Sequence, residues 1–254
     1  MGLCVTHVRR LLWASTFFTA TCMAAPPTLD LYLTDAPPLA MLEQNQLRGI
    51  LGEVTAVAAK RAGYDLRLLT PPWPRAQRVV MSGENLLIIP LSRTPEREAR
   101  YTWITPVLTM DRAFFSLNKR VETFAQAKAA YTRIAVGMGS VQERRLHDEG
   151  FRDDQIYPLK IGENPARMLM LGRVDAWFNG IAETRYIWRE VSDQPLQESP
   201  VLMRSDMYLA CSGRCDKALV AGLTKAVEHM RREGVIKRIT DSYLRNLPMP
   251  GISP

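Results

Sequence analysis

Apolar residues recur with the periods of strands and helices in the first half of the chain. Residues 29–34 alternate leucine with polar side chains, which predicts a β-strand. Residues 49–63 carry apolar side chains at helical spacing and end on glycine, which indicates a helix. A strand over 65–70, a helix over 74–83 and a buried strand over 86–91 follow. This βαβαβ order predicts a parallel sheet with helices on its faces.

The same succession of elements begins again in the second half. Three strands are predicted over 133–136, 155–159 and 174–178, and three helices over 140–150, 164–171 and 182–191. The first of these helices begins with a capping box, Ser140-Val141-Gln142-Glu143. Residues 201–210 resemble a strand that returns the chain to the first half, and residues 215–247 are mostly helical.

These two blocks predict an α/β protein with two lobes, each a mainly parallel sheet flanked by helices. We expect lobe 1 to comprise residues 25–112 and 204–254, and lobe 2 to comprise residues 113–203. Two hinge strands, near Met110–Ser116 and Val201–Tyr208, would connect the lobes. Since α/β sheets bind ligands beyond the carboxyl ends of their strands, the cleft between the lobes is the expected ligand site.

The first 24 residues have the pattern of a secretory signal peptide. His7, Arg9 and Arg10 form a basic start, and residues 11–23 form an uncharged, largely apolar run. This run is too short for a comfortable membrane span, and small residues precede a predicted cleavage site after Ala24. A short buried helix is the alternative. Cleavage would remove two arginines and no acid, which lowers the formal net charge from +7 to +5.

Two of the four cysteines, Cys4 and Cys22, would leave with this segment. Cys211 and Cys215 remain, and in an oxidising compartment we expect them to form a disulfide that closes a short loop. Two buried free thiols are the alternative. A zinc site would need two more ligands, and only two histidines follow residue 24.

Composition excludes several classes of function. The chain is 46% hydrophobic and 23% charged, which is typical of a globular protein, and its basic residues form no stripe that would suit a nucleic acid. It contains no Gly-x-Ser-x-Gly motif and no phosphate-binding loop, and His147 and His229 lie far apart in the sequence. We therefore predict no catalytic residue, no metal, no cofactor and no nucleic-acid partner.

Four motifs together carry a family resemblance. They are Gly49-Ile50-Leu51-Gly52-Glu53, Ser92-Arg93-Thr94-Pro95-Glu96-Arg97, Gly137-Met138-Gly139-Ser140-Val141-Gln142 and Gly172-Arg173-Val174-Asp175-Ala176. In this order and spacing the sequence resembles bacterial extracellular solute-binding protein family 3, which includes the histidine-, glutamine- and arginine-binding proteins of ABC importers. The resemblance runs from about Leu29 to Leu247 and implies a two-lobed periplasmic-binding-protein fold of type II.

The resemblance implies an anchor for a ligand carboxylate. In this family the arginine that ends the Thr-x-x-Arg motif binds that group, and its position here is Arg97. A guanidinium is a planar fork that matches a carboxylate with two hydrogen bonds. Thr94 and Ser92 would assist through hydroxyl and backbone groups. The alternative is a surface arginine paired with Glu96 or Glu98.

Ser140 is the second predicted anchor. It follows two glycines at the start of a predicted helix, where free backbone N–H groups and the positive end of the helix favour an anion. In the family the corresponding loop binds the same carboxylate. Ser140 is equally suited to be an N-cap, and both roles are compatible.

Four further residues lie where the cleft is expected. Trp73 precedes a helix and could stack on the ligand, although packing between proline rings is equally consistent with the sequence. Tyr32 ends the first strand and Asp35 follows it. Arg75 is a candidate second contact for an anion, with a solvated helix position as the alternative.

The sequence departs from the amino-acid-binding members of the family at one position. In those proteins an aspartate at the end of a late strand binds the ligand ammonium, and here Gly180 occupies that place. Asn179 precedes it and can accept a hydrogen bond, but it carries no charge. We therefore expect a carboxylate without a partnered ammonium, or another polar solute.

The resemblance implies a monomeric periplasmic protein that delivers a small molecule to an ABC permease in the inner membrane. A sensory or orphan module that signals through a membrane partner is the first alternative. Cyclohexadienyl dehydratase-like enzymes share the fold and are the second. Such an enzyme would need a carboxylate in the cleft as an acid, and Asp35 is the candidate, with Asp206 as a weaker one.

Overall fold

A computed structural model of the chain describes Gly2, residues 25–162 and residues 164–245. Apart from Gly2, the predicted signal peptide lies outside the described residues, as do Cys4, Cys22 and the end of the chain from residue 246. No helix of the described part is long and apolar enough to cross a membrane.

Strands and helices alternate along most of the described chain. The first half contains β1 (Thr28–Leu33), β2 (Met41–Glu43), β3 (Gln46–Arg48), α1 (Ile50–Arg61), β4 (Asp65–Leu69), α2 (Trp73–Ser82), β5 (Leu87–Ser92), a 3₁₀ helix (Pro95–Arg100) and β6 (Tyr101–Ser116). The second half contains α3 (Phe124–Ala130), β7 (Ile134–Gly137), α4 (Val141–Asp148), β8 (Ile156–Leu159), α5 (Asn164–Met170), β9 (Ala176–Gly180), α6 (Ile181–Val191), β10 (Gln197–Glu198), β11 (Met203–Ser212), α7 (Lys217–Arg232) and α8 (Val235–Leu244).

Two parallel sets of strands form the two lobes that the sequence predicts. In lobe 1, β1 pairs in parallel with β4 and β5, and α1, α2, α7 and α8 flank them. In lobe 2, β7 pairs in parallel with β8 and β9, and α3 to α6 surround them. The predicted α/β fold is thus confirmed, and the parallel strands of the two lobes are joined by antiparallel pairings into one mixed sheet.

The long strands β6 and β11 connect the lobes. They pair antiparallel from Met203 opposite Arg112 to Ser212 opposite Tyr101, and the sheet order is β4-β1-β5-β11-β6-β9-β7-β8. The first predicted hinge, Met110–Ser116, lies within β6, and most of the second, Val201–Tyr208, lies within β11. The chain therefore crosses between the lobes through two neighbouring strands.

Lobe 1 has its own hydrophobic core. Leu31 of β1 and Leu87 of β5 pack with Val54 of α1 and with Leu223 and Val227 of α7, and all five are fully buried. Burial of one such side chain contributes roughly 1.5–3 kcal/mol. The apolar positions of the sequence pattern in α1 are the ones that face the sheet.

Lobe 2 buries aromatic side chains on both faces of its sheet. Phe114 of β6 stacks on Phe178 of β9 with ring centroids 4.6 Å apart, and Phe124 meets Phe178 edge to face. Trp177 points to the opposite face and packs in a second cluster with Ile187 of α6. Since neighbouring residues of a strand point to opposite faces, the Trp177-Phe178 pair supplies both layers.

The structure contains elements that were not predicted, among them α3 and the 3₁₀ helix, and it differs from the predictions in two further local features. The hairpin β2–β3 was not predicted. Gln44 and Asn45 at its turn adopt positive φ, a conformation that asparagine tolerates. At α4 the Ser140 hydroxyl accepts a hydrogen bond from Glu143 N at 3.2 Å, as in a capping box. The Glu143 carboxylate, however, accepts from Gly139 N at 2.5 Å and not from Ser140 N.

Cys211 and Cys215 form a disulfide, as predicted. Cys211 is fully buried in β11, and Cys215 lies just before α7. The bond therefore ties the end of a hinge strand to the start of a lobe 1 helix.

Candidate ligand-binding site

A cavity of about 50 Å³ lies between the two lobes. A single water needs roughly 10–15 Å³ on the same scale, so the lobes as they stand leave room for a small group and little more. Apolar and polar side chains share the lining, and its polar members are Thr34, Ser92, Arg97, Arg112, Ser140, Gln142, Asn179 and Glu183. Four of the residues predicted from the sequence as polar contacts, Ser92, Arg97, Ser140 and Asn179, thus lie in one cavity.

Arg97 enters the cavity from the 3₁₀ helix of lobe 1. Its Nη1 donates to Ser92 O at 3.1 Å, and its Nη2 donates to Gln77 Oε1 at 2.8 Å and to Gly139 O at 3.2 Å. Burial lowers the pKa of Arg97, but a guanidinium remains protonated at neutral pH. Arg97 is therefore a positive charge held in place at the junction of the lobes. It forms no ion pair with Glu96 or Glu98, which was the alternative that the sequence left open.

Gly139 is one of the points where lobe 2 contacts lobe 1. Its carbonyl oxygen accepts from both Arg97 and Gln77 Nε2, the latter at 3.0 Å. Its φ is +73°, and a Cβ there would lie 3.1 Å from both Gln77 Nε2 and Pro74 Cγ. Glycine is thus required by both the backbone conformation and the close approach of α2.

The first turn of α4 brings amide groups to the cavity. Ser140, Val141 and Gln142 all line it, and the N–H groups of Val141 and Gln142 have no acceptor within the helix because of their position in its first turn. Ser140 is the N-cap of α4, so the structural role that the sequence allowed for it is observed. Two amide donors and the positive end of the helix dipole remain available to an anion.

Ser92 connects the two arginines of the cavity. It ends β5, its carbonyl accepts from Arg97, and its hydroxyl accepts from Arg112 Nη2 at 3.0 Å. Arg112 also donates through Nη1 to Met110 O and Ser205 Oγ, whereas its buried Nε has no partner among the described residues. Burial lowers the pKa of Arg112 to about 10, while the charge of Glu183 acts in the opposite direction.

Glu183 is the acidic side chain of the cavity lining. It lies in the first turn of α6 and is 8% exposed. Burial raises its pKa to about 7, and the charge of Arg112 limits this increase. No hydrogen bond or ion pair joins its carboxylate to another described residue.

Asn179 and Trp73 line the cavity as the sequence predicted. The Asn179 side chain accepts from Gln142 Nε2 at 3.1 Å and donates to Thr184 Oγ1 at 3.3 Å, so lobe 2 itself uses both ends of this amide. Trp73 is buried at the start of α2 and packs with Ala76 and other apolar residues of lobe 1. It presents an apolar wall to the cavity.

The other four predicted contacts lie outside the lining. Tyr32 is half-buried in an apolar cluster of lobe 1, and Arg75 is exposed on α2. Asp35 is exposed in the loop after β1, at the rim where its carbonyl faces Gly162 of lobe 2. Thr94 is the residue before the 3₁₀ helix, and it borders an outer groove.

Sequence reasoning missed Arg112, Glu183 and Gln77. A signal for Glu183 exists, because it shares the helical face of the buried residues Thr184, Ile187 and Trp188 in α6. Arg112 has a weaker signal, a charge in the middle of a strand whose next residues are buried and apolar. No local pattern marks Gln77 as a contact between the lobes.

Residues 31–246 match the family model for bacterial extracellular solute-binding proteins, family 3. This match covers most of the chain, and the protein therefore belongs to that family. A comparison with curated proteins finds no significant match.

Solved structures show the same fold at low sequence identity. A histidine kinase sensor domain with similarity to periplasmic binding proteins has a TM-score of 0.78 and 18% identity, covering 87% of this chain and 97% of that one. A mutant of ArgBP from T. maritima has a TM-score of 0.76 and 16% identity, covering 86% and 96%. The ancestral amino acid-binding protein AncCDT-1, a precursor of cyclohexadienyl dehydratase, has a TM-score of 0.74 and 15% identity. The match covers 85% of this chain and 95% of that one.

Proposed function

We propose that this protein is a periplasmic solute-binding protein that captures a small carboxylate-bearing molecule between its lobes. The observation that carries the proposal is that Arg97 of lobe 1 and the first turn of α4 in lobe 2 line one cavity. A carboxylate placed there could accept hydrogen bonds from the guanidinium, in place of those that Gln77 Oε1 and Gly139 O now accept, and further bonds from amide groups of the other lobe.

Such a ligand would act as a bridge. In an open state Arg97 and Ser140 would be separated by solvent, and the ligand would favour the closed state because only that state offers it both sets of donors. The hinge is formed by β6 and β11, where residues 25–112 with 204–254 move against residues 113–203.

The proposed setting is the periplasm, after export and cleavage near Ala24. A monomer would deliver its ligand to an ABC permease of the inner membrane. A sensory partner is the alternative, and the two are distinguished by reconstitution. Uptake into proteoliposomes that hold a co-encoded permease and its ATPase supports import, whereas ligand-dependent binding to a sensor kinase supports signalling.

Arg97→Ala tests the carboxylate anchor. We expect the folded variant to lose the rise in Tm that carboxylate ligands cause in the wild type, because the charged partner of the ligand is gone. The measurement is a thermal-shift screen with amino acids, organic acids, polyamines and small peptides. A ligand at 100 times its Kd should stabilise the wild type by about 2.7 kcal/mol.

Arg78→Ala is the matched control, since Arg78 is an exposed arginine on α2 that does not line the cavity. It should keep the full ligand-induced shift. If Arg97→Ala keeps that shift as well, the proposal that Arg97 binds the ligand carboxylate is wrong.

Glu183 favours a second candidate function, a dehydratase-type elimination. A dehydratase needs an acid that protonates the leaving hydroxyl group, and a buried carboxyl with a pKa of about 7 could fill that role. Mass spectrometry after incubation with cyclohexadienyl carboxylates tests it. Loss of water from the substrate with wild-type protein, but not with Glu183→Gln, would favour the enzyme over the binding protein.

A further inference from the structure

Arg112 is a buried charge that the carboxylate-anchor role of Arg97 leaves unexplained. It is 1% exposed, and its four hydrogen bonds to described residues all go to neutral acceptors. Burying an arginine without a hydrogen-bonded acid lowers stability, and an apolar residue of similar size is often the more stable choice. A role in the function of the site therefore explains this residue better than a role in stability.

The backbone of Arg112 lies where the chain leaves lobe 1. In the sheet it is opposite Met203 of β11 on one side and opposite Gly180 of β9, a lobe 2 strand, on the other. A Cβ at Gly180 would lie 2.8 Å from Met110 Sδ and would also meet the Glu183 carboxylate, so lobe 2 packs closely on this part of β6. Arg112 is thus a residue of the hinge itself.

The side chain of Arg112 extends the other way, into lobe 1. The sheet order places β11 between β6 and β5, and the guanidinium contacts Ser205 and Met207 of β11 and reaches Ser92 at the end of β5. Its Nη2 donates to Ser92 Oγ at 3.0 Å, and that hydroxyl donates to Met207 Sδ at 3.0 Å. The proton of the Ser92 hydroxyl and one of its lone pairs are therefore engaged by hinge residues.

Ser92 is hydrogen-bonded to the anchor as well. Its carbonyl oxygen accepts from Arg97 Nη1 at 3.1 Å, so Arg112 holds Ser92 through the hydroxyl and Ser92 holds Arg97 through the carbonyl. Ser92 is 4% exposed and is paired with Met207 in the sheet, which leaves it little freedom to move. A chain of hydrogen bonds thus runs from the hinge to the guanidinium that enters the cavity.

We propose that Arg112 is a positioning residue, which acts from the hinge through Ser92 to hold the Arg97 guanidinium in the orientation that binds a carboxylate. The inference rests on the proposed function, because Arg97 must be the group that binds the ligand. A binding group is held most accurately when hydrogen bonds from its neighbours fix its rotamer.

Two variants interrupt the chain at different points. Arg112→Met replaces the guanidinium by an apolar group, and Ser92→Ala removes the hydroxyl but keeps the carbonyl that Arg97 uses. The probe is acetate, a carboxylate with a single methyl group, and its Kd is measured by NMR titration. Each variant should bind acetate about tenfold more weakly than the wild type.

The double variant separates positioning from a direct effect on the ligand. It should bind acetate no more weakly than Arg112→Met alone, because both changes break the same chain. Losses that add would show that Arg112 acts independently of Ser92 and would refute the positioning role. A lower urea midpoint with unchanged acetate affinity would show a purely structural role and would refute it too.

The Arg97 side chain can also be followed without a ligand. Three acceptors hold its Nη groups in the wild type, so their ¹⁵N–¹H signals should be resolved, and Arg97→Ala assigns them by their absence. Arg112→Met and Ser92→Ala should broaden these signals, because Nη1 is then held less firmly. Unchanged signals in both variants would contradict the inference whatever the ligand is.

Arg112→Lys is the second variant in case Arg112→Met fails to fold. It keeps the charge but reaches fewer acceptors, and it should restore part of the acetate affinity. Arg204→Met is the matched control, since Arg204 is an exposed arginine of β11 that pairs with Asp111, and it should behave like the wild type.

The two readouts distinguish this inference from the proposed function. If the variants bind acetate as tightly as the wild type and the Arg97 signals are unchanged, the role of Arg112 is refuted and the carboxylate anchor stands. If the signals broaden in the variants but acetate does not bind the wild type, Arg112 does position Arg97 and the carboxylate anchor is refuted.

Discussion

Arg112 and Glu183 are both buried in the lining of the cavity, and each keeps a polar group without a partner among the described residues. Arg112 Nε has no partner among the described residues, and the Glu183 carboxylate has none either. Apolar residues of similar size would often give a more stable protein at such positions. Charged groups in this condition are typical of functional sites, since the missing partner is supplied by a ligand.

Glu183 should make the stability of the ligand-free protein depend on pH. Its pKa is about 7 in the folded chain, against 4.5 for a glutamate exposed to water as in the unfolded chain. Between these values the folded state holds a proton that the unfolded state has lost, so the free energy of unfolding falls as pH rises. The total decrease is at most about 3 kcal/mol.

Glu183→Gln should remove this decrease, because the amide does not titrate. We therefore expect the variant to be more stable than the wild type above pH 7 and similar to it near pH 4.5. Urea unfolding at several pH values measures the difference. A wild type and variant that keep a constant difference across this range would contradict the buried, titrating carboxylate.

At the scale of elements, β6 and β11 determine how the lobes are connected. β6 continues from lobe 1 into lobe 2, whereas β11 returns the chain to lobe 1, and the antiparallel register between them is continuous apart from shifts near Tyr208 and Ala210. The Cys211–Cys215 bond lies at the lobe 1 end of β11, away from the crossover. It should therefore affect the stability of lobe 1 and not the motion of the hinge.

Replacing both cysteines by alanine tests that expectation. The lost loop constraint corresponds to about 2 kcal/mol of unfolding free energy for so short a loop. The variant should unfold at lower denaturant concentration, and its ligand affinity should remain that of the wild type. A changed affinity at unchanged stability would instead connect the disulfide to the hinge.

For the whole molecule, closure depends in part on direct contacts between the lobes. Gln77 of lobe 1 contributes one of them, because it donates to Gly139 O of lobe 2, and it also accepts from Arg97 within lobe 1. Gln77→Ala should leave each lobe intact and shift the population toward open forms. With about 1 kcal/mol for the lost hydrogen bond between the lobes, ligand affinity should fall about fivefold.

Calorimetry measures this affinity, and small-angle scattering in the absence of ligand measures the opening as a larger radius of gyration. The Arg78→Ala variant, altered on the exposed side of the same helix, should match the wild type in both. Unchanged affinity and radius in Gln77→Ala would show that these contacts do not hold the lobes together.

The predicted contacts that line the cavity come mainly from local motifs. Arg97, Ser92 and Ser140 belong to short motifs, and all three line the cavity. Thr94 belongs to the same motif as Arg97, yet it lines only the outer groove, which Arg97 and Ser140 also border. Arg75 follows Trp73 by two residues and consequently lies on the exposed face of α2.

The sequence alone determined the succession of strands and helices, the two-lobed arrangement and the Cys211–Cys215 pair. Periodicity and spacing are local properties of the chain, so they can be read without coordinates. Tertiary structure alone decided that Arg112 and Glu183, distant in sequence, face one cavity, and that Gly180 leaves room for a carboxylate from the next turn. The reason is physical: the depth to which a charge is buried depends on the packing of several elements, and no single segment encodes it.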